Sequence, residues 1–272
     1  KHIKPGKEGF VKSAYSAYRE RSLGLGAMGF HSYLQSRSLP FEGIFATGFN
    51  HKAFKYIKTQ ATRASEKLAE ERGEAPDVSG SGRRNANLLA VAPNASSSII
   101  CGGTSPSIEP YRANVYTHKT LSGSFQVKNK YLEELLKDKG LKKDELTAVW
   151  KDIAGNEGSV QHLDILTDDE KELFKTANEI DQIWIIEHAS KRQEFICQAQ
   201  SVNLFFTIPT ATEPQEVHDE YMQYVNDVHW YGMNKLKSLY YFRTNAARNA
   251  ENVNTKVQRI KLDDAECIAC EG

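Results

Sequence analysis

Two cysteines three positions apart, Cys267 and Cys270, stand almost at the end of the chain. A Cys-x-x-Cys pair can bind zinc, act as a thioredoxin-type dithiol, or carry reducing equivalents on a linker. Zinc needs four nitrogen or sulfur ligands, and no second Cys/His pair at finger-like spacing occurs here. A thioredoxin-type pair sits at a strand-to-helix junction, where the helix lowers one thiol pKa. Residues 245–259 upstream of this pair are instead polar and without period, which reads as a mobile tail. A dithiol on such a tail fits a carrier that exchanges reducing equivalents between a buried site and an external partner. From residue 243 to 267, a flexible segment would span about 27 Å root-mean-square and roughly 80 Å fully stretched. Incidental surface thiols are the bland alternative, disfavoured because exposed cysteines are uncommon.

A second feature is Pro93-Asn94-Ala95-Ser96-Ser97-Ser98, which follows a short apolar run and precedes another. Small residues at a helix N-terminus leave N–H groups unpaired, and these, the helix dipole and hydroxyls bind phosphate. The same residues equally describe a plain N-cap by Asn94 or Ser96 with no ligand. The third feature is Tyr240-Tyr241 inside an expected strand. Neighbouring strand residues point to opposite faces, so ordinary packing places one ring in and one out. The chemical alternative is a redox pair, since stacked phenols can relay an electron and a proton. Gly24-Leu25-Gly26-Ala27-Met28-Gly29 matches a dinucleotide fingerprint literally. That fingerprint requires a buried strand just before it, and Tyr-Arg-Glu-Arg-Ser is not one, so the glycines read as close helix packing. No His-Glu-x-x-His, Walker loop or Gly-x-Ser-x-Gly occurs. His118, His162, His188 and His218 are scattered, and Cys101 and Cys197 read as buried small hydrophobes.

The elements that must position these groups alternate between helix and strand. Helices are expected at residues 10–20, 50–72 and 131–155, and from a capping box at Thr167-Asp168-Asp169-Glu170 onward to about residue 199. Residues 87–92 read as a buried strand, and residues 108–116 are extended in character. Strand 202–207, a helix over about 213–236 opened by a box at Thr212-Glu213-Pro214-Gln215, and strand 238–242 form a βαβ unit. Such a unit implies parallel neighbours in an α/β sheet or barrel. Composition agrees with a folded chain: 272 residues are 40% hydrophobic and hold only 8 prolines. With 35 basic and 35 acidic residues the net charge is zero, which argues against bulk binding to nucleic acid or an acidic membrane. Neither a signal peptide nor an apolar run long enough to span a membrane is present, and four cysteines suit a reducing, cytoplasmic setting.

Together these stretches resemble the C-terminal part of the large, catalytic subunit of class I ribonucleotide reductase. The resemblance is carried by residues 21–30, 87–98, 107–116, 121–126, 158–164, 197–206 and 239–242, and by the terminal Cys-x-x-Cys. It implies the C-terminal half of a ten-stranded α/β barrel over residues 1–243, and a mobile redox tail over 244–272. It also implies reduction of ribonucleoside diphosphates to deoxyribonucleotides by thiyl-radical chemistry. Asn94, Ala95, Ser96 and Ser97 would hold the substrate phosphates. Tyr240 and Tyr241 would pass the radical from a metal-containing small subunit, this chain binding no cofactor or metal itself. Cys267 and Cys270 would re-reduce the active-site disulfide and then be reduced by thioredoxin or glutaredoxin.

Two departures qualify the resemblance. The family's radical-bearing cysteine lies in Asn-x-Cys-x-Glu, which is absent, and neither Cys101 nor Cys197 matches its disulfide cysteines. The chain also has no initiator Met and lacks the family's N-terminal nucleotide-sensing domain and first half-barrel. The expectation is therefore a C-terminal piece or one half of a split subunit, inactive alone and docking on a second chain that carries the cysteine loop. Unpaired strand edges of a half barrel would drive that association. A non-catalytic phosphate-binding or redox-responsive scaffold built on the same barrel is the alternative, and a stand-alone dithiol oxidoreductase a weaker third.

Overall fold

Strands that pair in parallel need a long crossover, usually helical, to carry the chain back between them. The computed structural model describes residues 10–120 and 123–244 and has that arrangement. Helix α1 (Val11–Glu20) precedes an extended stretch at residues 23–27, which leads to α2 (Phe30–Ser36) and the long α3 (Ile44–Arg72). A second extended stretch, 87–92, is followed by α4 (Ala95–Ile100). The antiparallel hairpin β1 (Val115–Thr120) and β2 (Gly123–Lys128) then leads into α5 (Lys130–Asp138), α6 (Lys143–Gly155), α7 (Asp168–Leu173) and α8 (Gln182–Gln193). Strand β3 (Leu204–Phe206), α9 (Gln215–Lys235) and β4 (Phe242–Thr244) close the described part.

The stretch at 87–92 lies between two parallel neighbours. Leu25 N donates to Leu88 O at 2.9 Å, and Ala90 N donates to Leu25 O at 3.1 Å. On its other side, Val91 N donates to Ala199 O at 3.1 Å and Ser201 N to Val91 O at 2.9 Å. That third stretch runs into β3, which pairs parallel with β4 in the register Leu204↔Phe242. The result is a continuous parallel wall whose crossovers run through helices, the second also carrying the hairpin β1–β2, and the expected α/β class and βαβ unit are both present.

Several boundaries differ from the sequence expectation. The Gly24–Gly29 run is not helical: it is extended and paired with 87–92, and the helix begins only at Phe30. Its glycines still serve close approach, since a Cβ on Gly26 would lie 2.9 Å from the Ala90 carbonyl oxygen. Residues 131–155 form two helices because Gly140, at φ 89°, leaves helical space and Glu145 accepts from Lys142 N at 2.7 Å to open the next. The Thr167 box does open α7, with Glu170 N to Thr167 Oγ1 at 3.3 Å and Thr167 N to Glu170 Oε2 at 2.8 Å. That helix stops at Leu173, however, and α8 starts afresh where Asp181 Oδ1 accepts from Ile183 N at 3.0 Å. The Thr212 box does not form; Thr212 pairs with Thr210 at 3.0 Å, and Pro214 leads α9 instead. Of the extended 108–116 run, only Val115 and Tyr116 enter a strand. Thr244, the expected first residue of the tail, still belongs to β4, and the remainder of that tail lies outside the described residues.

Three apolar clusters hold these elements. Phe30, Leu34 and Phe41 pack with Ile185, Ile186, Leu204, Phe206 and Val228, joining α2, α8, α9 and β3. Leu132, Leu136, Trp150, Ile153 and Phe174 gather α5 and α6 under the hairpin. Phe54 of α3 meets Leu88, Leu89, Val91, Ile108 and Ile196 beneath the wall. Each fully buried Leu, Ile or Phe contributes about 1.5–3 kcal/mol, so the wall is held mainly by the side chains under it.

Gly26→Ala is expected to lower stability by about 1–3 kcal/mol, because its methyl group would force the parallel pair apart. Gly48→Ala, in α3 with nothing within 4 Å of the added Cβ, is expected to raise stability by about 0.5–1 kcal/mol. Urea unfolding of the two variants checks both signs.

Candidate functional site

At the end of 87–92 the chain turns sharply. Asn94 adopts the left-handed conformation, φ 55°, ψ 28°, and α4 begins at Ala95. Its side chain caps nothing and donates instead to the Ala27 carbonyl at 3.5 Å. The first intrahelical bond is Ser98 N to Asn94 O at 3.0 Å, so neither Asn94 nor Ser96 is a side-chain N-cap. The first-turn amides of Ala95, Ser96 and Ser97 have no intrahelical acceptor, and these three residues are exposed.

A cavity of about 310 Å³ opens beside α4. Pro93, Ala95 and Ser98 line one side of it, and Tyr240 and Tyr241 another. Two motifs about 145 residues apart in sequence thus share one cavity, though Asn94, Ser96 and Ser97 are not part of its wall. The tyrosines are not disposed one in and one out. They precede the regular part of β4, both are about half exposed, and their ring centroids lie 4.1 Å apart at 52°. Their hydrogen bond to each other raises the Tyr240 phenol above the ordinary tyrosine range, with the positive Arg243 acting against it. Arg243 also lies over the Tyr241 ring, 5.2 Å from its centroid.

Beyond these, the cavity is lined by groups that the sequence reading assigned no role: Glu109, Arg112, Tyr116, Asn203 and Arg243. Glu109 is buried, and burial raises its carboxyl pKa, while Arg112, the Asn203 hydrogen bond, Arg243 and Arg192 pull the other way. The signal for such residues is a polar side chain inside an apolar run, as in Ile108-Glu109-Pro110 and Val202-Asn203-Leu204.

The loop that carries Glu109 is fastened to α2. Ser105 N and Thr104 Oγ1 donate to Ser32 Oγ at 2.7 and 2.9 Å. Tyr111 gives its hydroxyl proton to the Gly103 carbonyl at 3.2 Å, so Ser32 Oγ donates to Tyr111 across 2.6 Å. Burial pushes the Tyr111 phenol up to about 12. Tyr111 N donates to His31 Nδ1 at 2.9 Å, which a protonated imidazole could not accept. Burial lowers His31 to about 3 and His188, bonded through Nε2 to the Phe41 carbonyl, to about 4.

A family model for the ribonucleotide reductase barrel domain matches residues 7–81 and 75–242. The chain belongs to this family. It is 43% identical over 265 residues to the ribonucleoside-diphosphate reductase large subunit of Invertebrate iridescent virus 3, covering 96% of this chain and 40% of the relative. With the putative large subunit of Frog virus 3 it shares 43% identity over 262 residues, 96% of this chain and 44% of that one. The solved alpha subunit of the class Id ribonucleotide reductase of Actinobacillus ureae superposes with a TM-score of 0.73 at 38% identity, over 89% of this chain and 42% of that one. The chain therefore spans less than half the length of these relatives, and its parallel wall is part of the reductase barrel.

The remaining expected groups fall as follows. Cys267 and Cys270 lie outside the described residues. Cys101 is exposed rather than buried, in the turn after α4. Cys197 is half-buried, and its sulfur accepts from Leu88 N and Leu89 N at 3.0 and 3.1 Å. Burial opposes ionisation of this thiol, but those amides and Lys58 bring its pKa below the usual range. Among the described residues no cluster of three His, Cys, Asp or Glu is placed to hold a metal, and no helix is long and apolar enough to cross a membrane.

Because folding holds His31 and His188 neutral below the ordinary histidine pKa of 6.5, the unfolded chain binds more protons between that pH and about 3–4. Their contribution is therefore full above pH 6.5 and is lost on acidification, by roughly a few kcal/mol in all. His188→Gln keeps a donor for the Phe41 carbonyl and is expected to flatten the decline. Urea midpoints for chain and variant at pH 7 and 4.5 test this; parallel profiles would reject the buried neutral imidazole.

Proposed function

We propose that this chain is the C-terminal part of a ribonucleoside-diphosphate reductase large subunit. In this reading it supplies the substrate phosphate loop, the radical-transfer pair and the dithiol shuttle. The observation that carries the reading is the shared cavity, where α4 begins within reach of the same space that Tyr240 and Tyr241 line.

The chemistry follows from the groups present. A diphosphate is an anion that amides of Ala95, Ser96 and Ser97, the hydroxyls of Ser96 and Ser97, and the Asn94 side chain can receive. Phenols in hydrogen-bond contact can hand on a hydrogen atom, electron and proton together, which leaves each ring neutral after transfer. Tyr240 and Tyr241 would carry the radical between a metal-containing small subunit and a cysteine on another part of the barrel. Reduction of the ribose removes its 2′-hydroxyl as water, and two cysteine thiols supply the two electrons by becoming a disulfide. Cys267 and Cys270 would then reduce that disulfide by exchange, becoming oxidised themselves, and thioredoxin or glutaredoxin would return them to dithiol.

The cysteine loop required at the centre of this scheme is not among these 272 residues, and in this reading another part of the large subunit supplies it. Neither cofactor nor metal is bound by this chain in the scheme.

The test is reconstitution. The chain alone should not reduce a ribonucleoside diphosphate, and adding the cysteine-loop half, the small subunit and thioredoxin should give turnover; reduction by the chain alone would refute the reading. In the assembly, Tyr240→Phe or Tyr241→Phe should drop turnover to background with nucleotide binding unchanged. Full activity in both would remove the relay. Changing Cys267 and Cys270 to Ser should permit one turnover per site and stop subsequent thioredoxin-driven turnovers, a pattern read by single- against multiple-turnover product counts.

A further inference from the structure

Two main-chain groups of the tyrosine pair are bonded to the stretch that leads into β3. Tyr240 N donates to Val202 O, and Leu204 N donates to Tyr241 O, both at 2.9 Å. A third group, Tyr241 N–H, has no backbone acceptor among these bonds and donates to Asn203 Oδ1 at 3.2 Å. Asn203 is 1% exposed, and its Nδ2 donates to Glu109 Oε1. Glu109 comes from the loop fastened to α2, so a carboxylate far away in sequence ends a short chain of bonds that begins at Tyr241.

A carboxamide can sit in either of two orientations that exchange its oxygen and nitrogen. Rotated by half a turn, Asn203 would present a donor to the Tyr241 N–H, and the contact would be repulsive. A carboxylate oxygen facing the other end only accepts, so it admits one orientation and excludes the other. Burial strengthens the choice, because the wrong orientation would leave polar groups without partners in a site closed to water.

We propose that Glu109 is a positioning residue for the tyrosine pair: it locks the Asn203 carboxamide, which fixes the main chain of Tyr241 and with it the spacing of the two rings. The role rests on the relay reading above, since ring spacing has a consequence only if something passes between the phenols.

The test uses the 272-residue chain with tyrosines labelled at Cζ, the Tyr240 signal being assigned through Tyr240→Phe. In the unaltered chain Tyr240 should titrate above an ordinary tyrosine, as its bond to Tyr241 requires. Asn203→Ala and Glu109→Ala should move that midpoint back toward about 10, whereas Glu109→Gln, which retains an accepting oxygen, should keep it. Unmoved midpoints in the alanine variants, or an equal fall in Glu109→Gln, would overturn the proposal. Should the alanine variants fail to fold, hydrogen exchange in the unaltered chain decides. A Tyr241 amide protected by about 100-fold or more supports the anchor, and one that exchanges freely overturns it. None of these readings needs turnover, so failure of reconstitution would refute the proposed function and leave the anchor standing.

Discussion

Parallel pairing of the 87–92 stretch with both its neighbours is the constraint on which the rest of the structure depends. Two parallel strands cannot be joined by a tight turn, so each pairing commits the chain to a crossover long enough to return to the same end. The crossovers here are α2 with α3, then the segment from α4 to α8, then α9, and most of the chain is spent on them. Because every crossover must cover the wall, the apolar faces of α3, α8 and α9 are committed to it, and the clusters around Phe54, Ile186 and Val228 follow. The same constraint delivers chemistry. The pairings are staggered, Val91 opposite Gln200 but Leu204 opposite Phe242, so the start of β4 lies level with the turn after 87–92 although the two are far apart in sequence.

Beneath that meeting point lies a polar seam in an otherwise apolar interior. Arg192 is completely enclosed, donating to Gln200 Oε1 at 2.7 Å and to Asn50 Oδ1 at 3.3 Å, with its guanidinium 5.9 Å from the Phe54 ring centroid. Burial lowers its pKa to about 9, opposed by the negative Glu109. Asn50 in turn donates to the His188 carbonyl at 2.8 Å, and Gln200 Nε2 to the Ala189 carbonyl at 2.8 Å, which ties α3 and the third wall stretch to α8. Removing one partner from such a set leaves a buried charge without compensation, at about 3–5 kcal/mol. Hydrophobic packing would hold the helices to the wall at many nearby registers. Directional bonds from buried charges permit few, and the site needs one.

What the sequence makes legible divides along the same line. The α/β class, the βαβ unit and the Thr167 box follow from period and local capping chemistry, which short-range rules describe well. Helix interruptions were harder, since residues 131–155 and 167–199 look continuous by period and are broken by a left-handed Gly140 and by the turn chemistry of Thr176, Glu179 and Asp181. The glycine run failed for a related reason: small residues state that something comes close, not whether the segment carrying them is helix or strand. In the site, the Ser-rich turn and the tyrosine pair were visible as motifs. Glu109 and Asn203 were not, because each looks like a misplaced polar residue until tertiary structure brings it opposite its partner.

The contrast between the exposed rings and their buried support is itself an argument about function. Exposing half of each ring forgoes hydrophobic free energy at about 25 cal/mol per Å². Tyr240 and Tyr241 forgo it together, on one cavity wall, while the peptide group that sets their spacing is bonded to a side chain that is 1% exposed. That carboxamide is bonded in turn to the buried Glu109 carboxylate, which Arg112, Arg243 and Arg192 also attract. The relay proposed above asks for both features at once: rings open to another surface, and a spacing that does not change when that surface arrives. β4 is paired only with β3 among the described residues, and the tyrosines are held through Val202, Asn203 and Leu204. In the proposed reading a partner approaching the rings leaves those bonds in place.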